Sequence, residues 1–78
     1  MARYLIRFEE SERMEPPTIT KKTVTANTKQ QAVIKSIRRS SVLGFLETTK
    51  EIKDWMKESQ DEKDRWVGEE IIIEAYKI

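Results

Sequence analysis

A chain of 78 residues with 37% hydrophobic and 37% charged side chains, and with no cysteine and no histidine, has room for one small α+β domain, 1–78. It buries about 60–65% of the surface its unfolded form exposes. The missing Cys and His exclude a disulfide framework, a thiol metal site and Cys- or His-based nucleophilic catalysis. Fifteen bases against 14 acids leave a net charge of +1, and the longest apolar runs, Ile71-Ile72-Ile73 among them, are three residues and far too short to span a membrane.

Tyr4-Leu5-Ile6-Arg7-Phe8 opens the chain as a strand rich in aromatic and β-branched residues. Tyr4, Ile6 and Phe8 share one face, and Leu5 and Arg7 share the other. This charged opening is unlike a signal peptide, so a soluble, cytoplasmic protein is expected. Residues 9–17 hold four acids and Pro16-Pro17, and neither proline can donate to a ladder, so a loop or hairpin connection is predicted. Residues 18–26 follow as a second strand with six β-branched residues. Lys21 and Lys22 suit it to a sheet edge.

Thr28-Lys29-Gln30-Gln31 has capping-box spacing and starts a helix over about 28–39. Val33, Ile34 and Ile37 form its apolar stripe, opposite Lys35, Arg38 and Arg39. Residues 42–48 read either as the opening of a second helix or as a short buried strand. Helical angles place Val42, Phe45, Leu46, Ile52, Trp55 and Met56 within half the circumference. Gly44 opposes an early start, and Thr48-Thr49-Lys50-Glu51 is a second capping box, so the start stays open between 42 and 49 and the end falls near Glu58. Gln60 to Arg65 reads as a loop or a fraying extension, Trp66-Val67-Gly68 as re-entry into the core, and Glu70 to Ile78 as the last strand. Ile71, Ile73 and Ala75 lie on one face of it; Ile72, Glu74, Tyr76 and Ile78 lie on the other. The order is β-β-α-α-β, which predicts a three-stranded, mostly antiparallel sheet with two helices packed on one face.

No catalytic constellation emerges. The available groups are carboxylates, Lys and Tyr, and none stands isolated in an apolar run. Glu74, between Ile73 and Ala75, reads as the solvent face of a strand. Gly44 and Gly68 stand alone, so nothing cradles a phosphate, and Asp61-Glu62-Lys63-Asp64 lacks the alternation and central glycine of a calcium loop. Catalytic residues, metal ligands, cofactors and a small-molecule substrate are therefore not expected, and the chain is read as a non-enzyme.

The charge is segregated. Residues 1–15 carry three bases and four acids, residues 40–78 carry six bases and ten acids, and residues 16–39 carry six bases and no acid. If the first helix packs back on its strand, Lys21, Lys22, Lys29, Lys35, Arg38 and Arg39 form one phosphate-contacting footprint. No interleaved aromatic or nucleic-acid motif strengthens it. A second stripe, Glu47, Glu51, Asp54 and Glu58, continued by Asp61 and Glu62, suits a basic partner; the competing reading is a solvated face laced with ion pairs. A third signal is apolar. Both faces of the last strand carry large hydrophobics, so Trp66, Ile72, Tyr76 and Ile78 are candidates for an interface with another protein or a second copy of this chain.

The opening ARYLIRFEE followed by TVTANTKQQAVIKSI resembles small α+β proteins of phages and prophages of Gram-positive bacteria. These pass from a terminal strand into a second strand and a T-x-x-Q-A helix start. The resemblance spans about the first 40 residues and transfers no functional residue. It implies a protein that acts by binding, either inhibiting or redirecting a host protein or contacting nucleic acid. The expectation is a non-enzymatic binding module of accessory or inhibitory type; a nucleic-acid-binding domain using the basic residues of segment 21–39 is the alternative.

Overall fold

Alternation in the first strand sets the layer structure. In the computed structural model, which describes residues 1–12, 15–40 and 42–78, Tyr4, Ile6 and Phe8 are buried on one face of β1 (Ala2–Glu10). Leu5, Arg7 and Glu9 line the opposite face, half-buried. Around β1 the chain builds β2 (Thr18–Ala26), α1 (Lys29–Arg38), α2 (Thr49–Ser59), β3 (Gln60–Glu62), β4 (Arg65–Val67) and β5 (Ile71–Lys77). The strands form one antiparallel sheet in the order β2-β1-β5-β4-β3.

The class is α+β, but the expected three-stranded sheet and β-β-α-α-β order are overturned. Five strands are present, and the order is β-β-α-α-β-β-β. The difference lies in residues 60–67, where a hairpin replaces the expected loop. Its first strand is three residues long with every side chain exposed, so it carries no alternation to read. Its second is anchored by Trp66, which pairs in register with Ile73 on the buried face. A register shift between Gln60 and Glu62 marks a bulge as the chain leaves α2. β1 also runs through Glu9 and Glu10, which the proline-containing connection was expected to include. Arg13 and Met14 of that connection, and Ser41, lie outside the described residues.

Both helices begin at threonine caps. Thr28 Oγ1 accepts the Gln31 amide at 3.1 Å, and Thr48 Oγ1 accepts the Glu51 amide at 3.2 Å while its hydroxyl donates to Glu51 Oε1 at 3.1 Å. The second box thus settles the start of α2 at Thr49, and no helix or strand forms over 42–48. Val42 is buried there within a turn, and Leu43 takes the left-handed region at φ 53°. The core lies between the helices and one sheet face. Ile6, Phe8, Ile73 and Ala75 meet Ala32, Val33 and Ile37 of α1 and Ile52 and Met56 of α2. Full burial of each large side chain contributes about 1.5–3 kcal/mol. Among the described residues, no helix is long and apolar enough to cross a membrane.

Candidate interface on the open sheet face

The helices cover one face of the sheet, and no element among the described residues covers the other. Its centre is a row of charges set by strand register: Lys21 beside Arg7, Arg7 beside Glu74, and Glu74 beside Arg65. Arg7 Nη1 donates to Glu74 Oε1 at 2.8 Å, and its Nη2 donates to Glu9 Oε1 at 3.1 Å. The Tyr76 hydroxyl donates to the other oxygen of Glu74 at 2.8 Å. The side chains of Arg7, Glu9 and Glu74 are about a quarter exposed, so the network is only partly hydrated. The bond to Glu9, reinforced by the charges of Glu9 and Glu74, raises Arg7 above its ordinary value. Tyr76 is also raised, chiefly by its bond to Glu74, because losing the proton sets a phenolate against a carboxylate.

Apolar side chains flank this row. Ile72 pairs in register with Glu9 and Val67, and Ile19 pairs with Glu9 from the other side. Leu5 pairs with Tyr76, and Ile78 closes the row by donating its amide to the Arg3 carbonyl at 3.0 Å. Ile19, Tyr76 and Ile78 are 50%, 45% and 66% exposed. Three of the four expected interface residues, Ile72, Tyr76 and Ile78, therefore share this face. Trp66 does not: it is 5% exposed and faces the helices, because it is the immediate neighbour of Val67 and successive side chains of a strand point to opposite faces. Ile19 and Val67 belong to the face although their strands gave no sign of it. Only the register, a long-range property, brings Val67 beside Ile72 and Ile19 beside Glu9 in the same row.

The six bases expected to form one acid-free surface do not gather. Lys21 and Lys22 are adjacent on a strand and so point to opposite faces, Lys22 in register with Ile6. Lys29 forms an ion pair with Asp64, an acid brought in by the β3–β4 turn. Lys35 Nζ donates to the Thr25 carbonyl at 2.9 Å, and Arg38 donates to the Thr49 hydroxyl. Arg39 is exposed at the end of α1. The acidic set is divided too. Glu47 precedes α2, Glu51 serves the cap, and Asp61 pairs with Arg65 at 3.0 Å. Glu58 and Glu62 are exposed. Asp54 lines a cleft of about 540 Å³ with Lys29, Lys53, Lys57 and Lys63, above Met56 and Trp66. Lys53, Lys57 and Lys63 come from α2 and from the turn after β3, and only the fold sets them around one opening.

The chain matches no protein-family model, no curated protein and no solved structure.

Proposed function

We propose that this protein is a non-enzymatic binding module, of accessory or inhibitory type, that grips another protein through the open face of its sheet. The observation that carries the reading is the uncovered face itself. Leu5, Ile19, Val67, Ile72, Tyr76 and Ile78 surround a partly dehydrated Arg7–Glu74 pair. This arrangement has an apolar periphery for affinity and a fixed charge pair for register. The short likeness to phage-type accessory proteins supports the same class of action. Leu5, Tyr76 and Ile78 lie on one side of the charged row and Ile19, Ile72 and Val67 on the other, and exposed apolar groups set around a fixed charge pair suit a face on which a partner docks.

Affinity capture from bacterial lysate tests the reading, with the wild-type chain compared against Ile19→Lys, Tyr76→Glu and a helix-side control, Glu58→Gln. Light scattering coupled to size exclusion runs in parallel. The expected outcome is a protein, or a second copy, held by the wild type and the control and lost by both open-face variants while both stay folded by circular dichroism. Equal retention by all four chains overturns it, as does a monomer that retains nothing.

The nucleic-acid reading loses its main support once the six bases divide between faces and partners. Binding to random DNA and RNA at low salt, if seen, is expected to be indifferent to Lys35→Glu with Arg38→Glu.

A further inference from the structure

At the end of the sheet where β1 finishes and β5 begins, a cleft of about 360 Å³ opens beside the 42–46 turn. Phe45 and Trp55 line it, and Glu10, Glu12, Glu69 and Glu70 stand around it. Among the described residues no lysine or arginine lines this cleft, and none of the four glutamates makes an ion pair. The acids come from two distant segments, joined where the Ser11 amide donates to the Glu70 carbonyl at 2.9 Å. The aromatic side is held by backbone. Leu43, in the left-handed region, turns the chain so that Phe45 stands 70% exposed. On the other side, a Cβ at Gly68 would lie 3.0 Å from Trp55 Cζ2, so the absent side chain is what lets the indole lie against the β4–β5 turn.

We propose that this cleft is a second docking surface, separate from the open sheet face, and that it receives an arginine side chain from a basic segment of a partner protein. Charge complementarity selects a cation. The described acids do not converge into a group able to hold a metal ion, so a long cation that reaches several carboxylates fits better than a compact one. A guanidinium has five donors for those carboxylates and a weakly hydrated plane that stacks on aromatic rings, whereas an ammonium is a compact, strongly hydrated point charge.

The test is NMR mapping of amide shifts in low salt with the hexapeptide acetyl-Arg-Ala-Arg-Ala-Arg-Ala-amide, its lysine and citrulline counterparts, and spermine. Saturable shifts are expected at Phe45, Gly68, Glu69 and Glu70 with the arginine peptide, with several-fold weaker binding of the lysine peptide and none of the citrulline one. Phe45→Ala, and Glu69→Gln with Glu70→Gln, are each expected to weaken binding by about tenfold. Both changes are at exposed side chains and leave the fold intact. Glu51→Gln with Glu58→Gln on α2, and Tyr76→Glu on the open face, are expected to change nothing, which separates this surface from the first. Equal affinity for spermine or the lysine peptide, equal weakening by the α2 pair, or no binding overturns the proposal. Shifts at the same residues driven by protein concentration alone assign the cleft to a second copy and overturn it too.

Discussion

Ser36 is fully buried on α1, and its hydroxyl has no hydrogen-bond partner among the described residues. An orphaned buried hydroxyl costs about 1–3 kcal/mol, and alanine is the better helix former. Ser36→Ala is therefore expected to stabilise by about 1 kcal/mol, which raises Tm by roughly 4–8 °C for a domain of this size. Thermal melting followed by circular dichroism reads it directly; an unchanged or lower Tm would mean the hydroxyl is satisfied after all. Tyr76 gives a prediction in pH. Its folded-state value is raised by the bond to Glu74, so the stabilisation it contributes is complete below the ordinary tyrosine value of about 10 and fades as pH climbs through the raised one. NMR titration of the Tyr76 ring is expected to show a midpoint above the ordinary value. In Glu74→Gln the midpoint falls back toward it, since the carboxylate that opposed the phenolate is gone.

The helix starts rest on single threonines. Thr48→Ala removes both the cap on the Glu51 amide and the return bond to its carboxylate, so it is expected to lower stability by about 1 kcal/mol in urea denaturation, with an unchanged slope. Gly68 is an element boundary of another kind. A methyl there meets Trp55 at 3.0 Å and Ile71 Cγ2 at 3.1 Å, and displacing the indole is expected to cost about 1–2 kcal/mol. A Gly68→Ala variant with wild-type stability and unaltered Trp55 fluorescence would contradict the close approach. These boundaries also show what a sequence can reveal. Both threonine caps were legible because a cap is local: a threonine and the amide three residues on. The alternation that turned Tyr4, Ile6, Phe8, Ile73 and Ala75 inward was legible for the same reason. The β3–β4 hairpin was not, because Gln60-Asp61-Glu62 has no apolar alternation and is a strand only through its pairing with residues beyond the turn. The interface was half legible. Ile72, Tyr76 and Ile78 alternate within one strand, but the arrival of Ile19, Val67 and Glu9 beside them depends on register across three other strands.

At the scale of the molecule, a sheet covered on one face also has two edges, and they are unequal. β3 offers three residues, whereas β2 offers nine, Thr18 to Ala26, with one side of its backbone unpaired. A long edge strand rich in threonine, isoleucine and valine is a template for a further strand, and charge is the usual guard against it. Lys21 and Lys22, adjacent on β2, place one ammonium on each face of that edge, so an incoming strand meets a positive charge whichever face it approaches. Replacing both by valine yields an uncharged nine-residue strand of high β-propensity. It takes the net charge of +1 to −1, the same magnitude, so a change in solubility is not a change in overall repulsion. The double variant is expected to keep its melting temperature within about 1 kcal/mol of stability, because both side chains stand on an edge rather than in the core. It is expected to associate at concentrations where the wild type does not, into species that bind thioflavin T or elute early in size exclusion, with each single variant intermediate. Tyr76→Glu in the same background separates the two routes to association. If it abolishes the larger species, the open face and not the edge is joining the copies, and the lysines serve as ordinary surface charges.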